Sequence, residues 1–240
     1  MVRTFVTRHG PVPIWGEFDQ FDSIRPLLFV VRGAFPDADS MTLLHRQTPD
    51  VDVVLAHLPG MHSPFFDTCT IQVFAEAFDE IVRDFGRRIN VVFGLSTGAL
   101  TALAMRTADR LILVEPPLST AEAWPLIAQF REWALADADV ARWVEGLFGY
   151  SQTDVVNRDY TGLLADSAPG VVILGETPLE PPRAFDRMPS LVSAADRKRI
   201  AAAPHLTEVI VPGVGHNIPG VAPYALLDEI KRILADVQRR

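Results

Sequence analysis

The sequence predicts an α/β fold built on a doubly wound, mostly parallel sheet. Three observations carry that expectation. Six short apolar runs recur along the chain, at 27–31, 51–56, 89–93, 111–114, 171–174 and 209–211, and their near-continuous hydrophobicity suits strands covered on both faces. Helical patterns lie between them, and strands alternating with helices wind into a parallel sheet. Gly94-Leu95-Ser96-Thr97-Gly98 sits where one such run meets a helix-favouring stretch.

Taken in order, the first 25 residues are the least regular. Residues 4–7 and 18–21 are the pair expected to supply an antiparallel edge. Ile71, Phe74, Phe78, Ile81 and Phe85 follow helical spacing and stop at Gly86, a residue suited to a left-handed helix cap. The alanine-rich stretch 99–105 favours a helix behind the 89–93 strand. Between the strand at 111–114 and the strand at 171–174, residues 119–168 are too many for one crossover helix. They are expected to form a helical lid inserted after the strand that ends at Glu115. Val140, Trp143, Val144, Leu147 and Phe148 make one apolar helical face of it, and Trp124, Ile127, Phe130 and Trp133 part of another. Most of these aromatics are expected to pack the lid onto the core, with Trp124, Trp143 and Phe148 the candidates for lining a substrate pocket. Leu226, Ile230, Ile233 and Val237 mark a last helix.

Length and composition fit one domain spanning 1–240. The chain has 240 residues, 48% of them hydrophobic, enough to bury a substantial core without a linker or repeat. A formal net charge of -8 argues against nucleic acid or an anionic membrane as partner. The expected partner is a small-molecule substrate, with homo-oligomer formation left open. A single cysteine, Cys69, excludes an intrachain disulfide and a thiolate metal cluster. With no apolar run near bilayer length, the chain is expected to be cytoplasmic.

Ser96 is the candidate nucleophile. A serine on a sharp strand-to-helix turn exposes its hydroxyl above a sheet, and flanking glycines leave room for strained backbone and close helix packing. A serine hydroxyl needs a base, and the base needs a carboxylate to orient it. His216 is the candidate base, in the glycine-rich loop Pro212-Gly213-Val214-Gly215-His216 directly after the last apolar run.

With these motifs in this order, the chain resembles the α/β-hydrolase superfamily over nearly its full length. Residues 51–63 resemble its strand and loop ahead of the nucleophile, 94–98 its nucleophile elbow, and 212–216 its terminal histidine loop. The resemblance leaves the acid open. Most such hydrolases carry an aspartate three residues beyond a glycine on the strand before the histidine strand, and here that position is Pro178. Glu176 and Glu180 stand nearby. Glu115, at the end of the strand after the elbow helix, resembles the arrangement in a subgroup of haloalkane dehalogenases and is the preferred acid, with Glu176 as alternative.

The resemblance implies an oxyanion hole from the backbone amides of Thr97 and Ala34, the latter in Arg32-Gly33-Ala34-Phe35, where the family commonly has His-Gly. Arg32 is a weaker candidate for meeting a substrate carboxylate. No cofactor or metal is implied. The expected activity is hydrolysis of a small, largely apolar carboxylic ester, thioester or lactone through an acyl-enzyme on Ser96. Carbon-carbon bond hydrolysis or acyl transfer would use the same triad, and a non-catalytic ligand-binding protein would use only the scaffold. A competing motif, Thr7-Arg8-His9-Gly10, resembles the opening of histidine phosphatases, but the rest of that pattern does not follow.

Overall fold

The computed structural model describes residues 1–34, 47–87, 89–121, 123, 127–151, 153–176 and 189–239, the side chains of 127–130 excepted. Among these residues, eight strands form one sheet: β1 (Val2–Thr7), β2 (Gly10–Gly16), β3 (Leu27–Val31), β4 (Asp52–Ala56), β5 (Asn90–Leu95), β6 (Arg110–Val114), β7 (Gly170–Gly175) and β8 (Leu206–Val211). Their order is β1-β2-β4-β3-β5-β6-β7-β8. β1, β2 and β4 pair antiparallel, and every other neighbouring pair is parallel.

The central strands are buried on both faces, which is why their sequences read as unbroken apolar runs. In β3, Leu27, Phe29 and Val31 join one core cluster, while Leu28 and Val30 join the other. The first cluster packs against α1 (Ile71–Phe85) and α2 (Thr97–Ala104). α1 presents Ile71, Phe74, Phe78 and Ile81 at helical spacing. It is opened by the Thr70 hydroxyl, which accepts the Val73 amide, and closed by Gly86 at φ 59°.

Between β6 and β7 lie α3 (Ile127–Ala136) and α4 (Ala138–Phe148). α4 starts at the Asp137 cap, ends on Gly149 at φ 73°, and buries Trp143, Val144, Leu147 and Phe148, the predicted apolar face. Residues 150–168 return through a short 3₁₀ turn, Thr161–Leu164. α5 (Ala194–Ala201) precedes β8, and α6 (Pro223–Gln238) covers the second sheet face with Leu226, Ile230, Ile233 and Val237.

One expectation is corrected. The antiparallel edge exists, but β1 pairs with β2 across the two-residue turn Arg8-His9, whereas 18–20 form a 3₁₀ turn. Gly10 adopts φ 133°, a conformation glycine allows at a tight reversal, and the two prolines in β2, Pro11 and Pro13, hide its strand character. The Arg8-His9 tip is tied to α1. Arg8 pairs with Glu76 and Glu80, and His9 with Glu76. The phosphatase-like motif is therefore a hairpin turn held by acidic side chains. No helix among the described residues is long and apolar enough to cross a membrane.

Candidate active site

In a parallel sheet with crossover helices, the carboxyl ends of the strands gather loops on one edge, where ligands bind. Ser96, Glu115 and the loop bearing His216 follow β5, β6 and β8 on that edge.

Ser96 follows β5 directly and has φ 54°, ψ −122°. Its amide still donates to Val114 O at 2.8 Å, so the strand pairing runs up to the residue that turns. Helix α2 begins at Thr97. The turn is tight because its glycines are required. A Cβ at Gly94 would lie 2.5 Å from the Ala99 Cα, and one at Gly98 would lie 2.4 Å from Val31 O and 2.5 Å from Arg32 O. The helix N-terminus thus presses onto the end of β3. Gly33 closes the same corner, its Cβ position lying 3.1 Å from the Ser96 Cβ.

Glu115 ends β6 in the same way. Its amide donates to Ile173 O at 3.0 Å, and its backbone then turns to φ 53°. Among the described residues, Ser96 and Glu115 are the two non-glycine residues with positive φ. Such backbone costs about 1–3 kcal/mol per residue and persists where surrounding structure enforces it, most often at functional sites. The Glu115 side chain is fully buried. One oxygen accepts the Gly175 amide at 2.7 Å, and the other accepts the Leu191 amide at 3.1 Å and faces His216 Nδ1, also at 3.1 Å. A carboxylate removed from water needs donors of this kind to remain charged.

His216 joins the two strained residues. Its Nε2 lies 3.1 Å from Ser96 Oγ while its Nδ1 meets Glu115. A carboxylate at Nδ1 selects the tautomer with the proton there, leaving Nε2 to accept the serine hydroxyl. The arrangement can draw a proton from Ser96 and hold the resulting imidazolium against a buried negative charge.

Glu176, the other acid considered, sits elsewhere in this network. Its side chain is exposed and accepts the Gly213 amide at 2.7 Å. Pro178 and Glu180 lie outside the described residues. Thr97 opens α2, and Ala34 is buried one residue beyond Gly33, so the two amides expected to form an oxyanion hole belong to segments that meet at the elbow.

Of the three pocket candidates, Trp124 lies outside the described residues. Trp143 is buried in the core, with its indole N–H donating to Pro59 O at 2.9 Å. It also borders a mainly apolar cavity of about 290 Å³, shared with Met61, Phe65, Trp133 and Val140. Phe148 is buried between Trp143 and Tyr150, at ring-centroid distances of 6.0 and 6.4 Å.

Sequence reasoning did not single out a histidine pair beside this edge. His57 follows β4, its ring 4.2 Å from that of His62 and 4.8 Å from that of Trp15. Burial, with His62 and Arg32 adding to it, pushes the His57 imidazole down to about 4. The signal was His57-x4-His62 after a strand, too sparse a pattern to read alone.

Solved structures align over almost the whole chain. An N-formylmaleamic acid deformylase from Pseudomonas putida is 16% identical with a TM-score of 0.67, covering 96% of this chain and 100% of its own. An esterase from Thermogutta terrifontis is 15% identical with a TM-score of 0.67, covering 99% of each chain. An E-2-(acetamidomethylene)succinate hydrolase is 18% identical with a TM-score of 0.67, covering 98% of this chain and 99% of its own. At these identities the likeness is one of fold. A sequence search among curated proteins finds no match. The model of the alpha/beta hydrolase family matches residues 27–229, from the first parallel strand into the last helix, and the chain therefore belongs to that family.

Proposed function

We propose that the chain is a serine hydrolase that cleaves a small, largely apolar carboxylic ester, thioester or lactone. The observation that carries this reading is the continuous contact Ser96–His216–Glu115, at 3.1 Å on each side of the imidazole, anchored by Ser96 and Glu115, the two strained non-glycine residues among those described. His216 takes the Ser96 proton as Oγ attacks the carbonyl carbon, and Glu115 holds the imidazolium in place. The amides of Thr97 and Ala34 receive the oxyanion, each worth roughly 3 kcal/mol in the transition state. His216 returns the proton to the leaving group, and water activated by the same imidazole releases the acid from the acyl-enzyme.

The apolar preference rests on the cavity beside Trp143 and on helices α3 and α4, read as a lid over the site. Trp124 and Phe148 remain candidates for that lining. A ligand-binding protein without catalysis would leave His216 without an orienting carboxylate, and Glu115 lies within reach of it.

A fluorophosphonate probe tests the reading, with circular dichroism confirming that each protein is folded. Wild type is expected to label stoichiometrically, and Ser96→Ala to lose labelling completely. A folded wild type that takes no label overturns the proposal.

A further inference from the structure

We propose that Glu176 is a positioning residue, which sets His216 over Ser96 by holding the backbone of the histidine loop. The inference rests on the hydrolase reading for what that placement achieves, but not for the placement itself.

The loop has a mechanical problem to solve. It leaves β8 at Val211 and within five residues must bring an imidazole to a point between Ser96 and Glu115. It turns at Gly213, where φ is 68° and a Cβ would meet nothing within 4 Å, so side-chain packing does not hold that turn. Glu176 does. Its own amide donates to Val211 O at 3.0 Å, the last rung between β7 and β8, and its carboxylate then reaches past that rung to accept the Gly213 amide at 2.7 Å. The side chain replaces the backbone acceptor that the ladder lacks once the strands end. A charged acceptor makes a shorter, stronger bond to a backbone amide than a neutral one does.

The rest of the loop leans on the same strand end. A Cβ at Gly175 would lie 2.4 Å from Val214 O and 2.5 Å from Gly215 O. The Gly175 amide is also a donor to Glu115. One dipeptide, Gly175-Glu176, therefore fixes the acid, the loop's turn and the carbonyls just before His216. Glu176 needs only to accept a hydrogen bond, whereas a relay acid must carry charge beside the imidazole. That difference separates the two roles.

The test compares Glu176→Ala and Glu176→Gln with wild type, in fluorophosphonate labelling rate and in the ring ¹⁵N–¹H spectrum of His216, assigned with His216→Gln. Glu176→Ala should slow labelling about tenfold and shift or broaden the His216 signals, while Glu176→Gln, which keeps an acceptor, should recover most of the rate and the wild-type spectrum. An alanine variant with unchanged His216 signals overturns the proposal. So does a loss of about a thousandfold that glutamine fails to rescue, because it would make Glu176 a relay acid. A wild type that does not label sinks the hydrolase reading alone, since the ring spectrum still reports whether Glu176 places His216.

Discussion

Strands β6 and β7 lie side by side, each is followed or ended by a glutamate, and both glutamates bear on one histidine loop. Glu115 is fully buried, sits on strained backbone and faces the imidazole; Glu176 is exposed and holds an amide three residues away from it. The chemistry of the side chain is the same in both, so the environment decides what each does. A buried carboxylate surrounded by donors concentrates negative charge at low local dielectric, where it can stabilise an imidazolium. An exposed one is screened by water and serves as a hydrogen-bond acceptor.

The largest effect should come from breaking the buried side of this pair. Glu115→Gln keeps the volume but turns an acceptor-only group into one with two donors, and three N–H groups already point at it: those of Gly175, Leu191 and His216. One of them must face the new amide donors, and the imidazolium loses its counter-charge. The labelling rate is expected to fall by about 10³ to 10⁴, with secondary structure retained by circular dichroism. A fall of less than tenfold would mean that burial at β6 is structural, and that the comparison with Glu176 separates nothing.

The strand end that both glutamates share gives a second, smaller effect. Gly175→Ala puts a methyl group against two backbone carbonyls of the histidine loop, at 2.4 and 2.5 Å, so the backbone and not a side chain must move. Displacing a catalytic group by about 1 Å costs on the order of a hundredfold in rate. The variant should therefore lose about that much labelling rate, while its urea midpoint changes by less than a buried cavity mutation would cause. An unimpaired rate would show that the loop reaches His216's position without the close approach of β7.

Much of this was legible in the residues. The parallel strands were announced by apolar runs, because burial on both faces removes alternation, and α1 by its spacing and by Gly86. The elbow was legible because Gly94 and Gly98 have no room for a side chain. Glu115 is the acid the sequence prefers because Pro178 takes the family's usual position and the end of the strand after the elbow helix resembles the acid site of a subgroup of haloalkane dehalogenases. What spacing did not reveal was the division between Glu115 and Glu176, since it depends on burial and on the positive φ at Glu115, and neither is written in a linear pattern. Strand β2 was missed because the prolines at 11 and 13 lower strand propensity, yet they lie ahead of Ile14–Gly16, the stretch that pairs with β4, so one side of the strand asks no N–H of them. Trp143 is buried in the core and also borders a cavity, a placement helical spacing cannot express because packing geometry has no counterpart in it.

The smallest expected effect concerns pH, and it extends the contrast between buried and exposed groups to an imidazole. His57 in the folded chain titrates at about 4, below the ordinary value of 6.5, chiefly because burial disfavours its charged form. The unfolded chain therefore takes up this proton first as pH falls. The stability tied to neutral His57 is complete above about 6.5 and is lost as pH drops toward 4. The full shift sets a ceiling of roughly 3 kcal/mol, reduced by solvent screening at a half-buried site. Urea unfolding at pH 7.5 and 5.0 reads this loss: wild type should lose about 1–2 kcal/mol more than His57→Gln over that interval. Equal losses would mean that His57 carries none of this pH dependence.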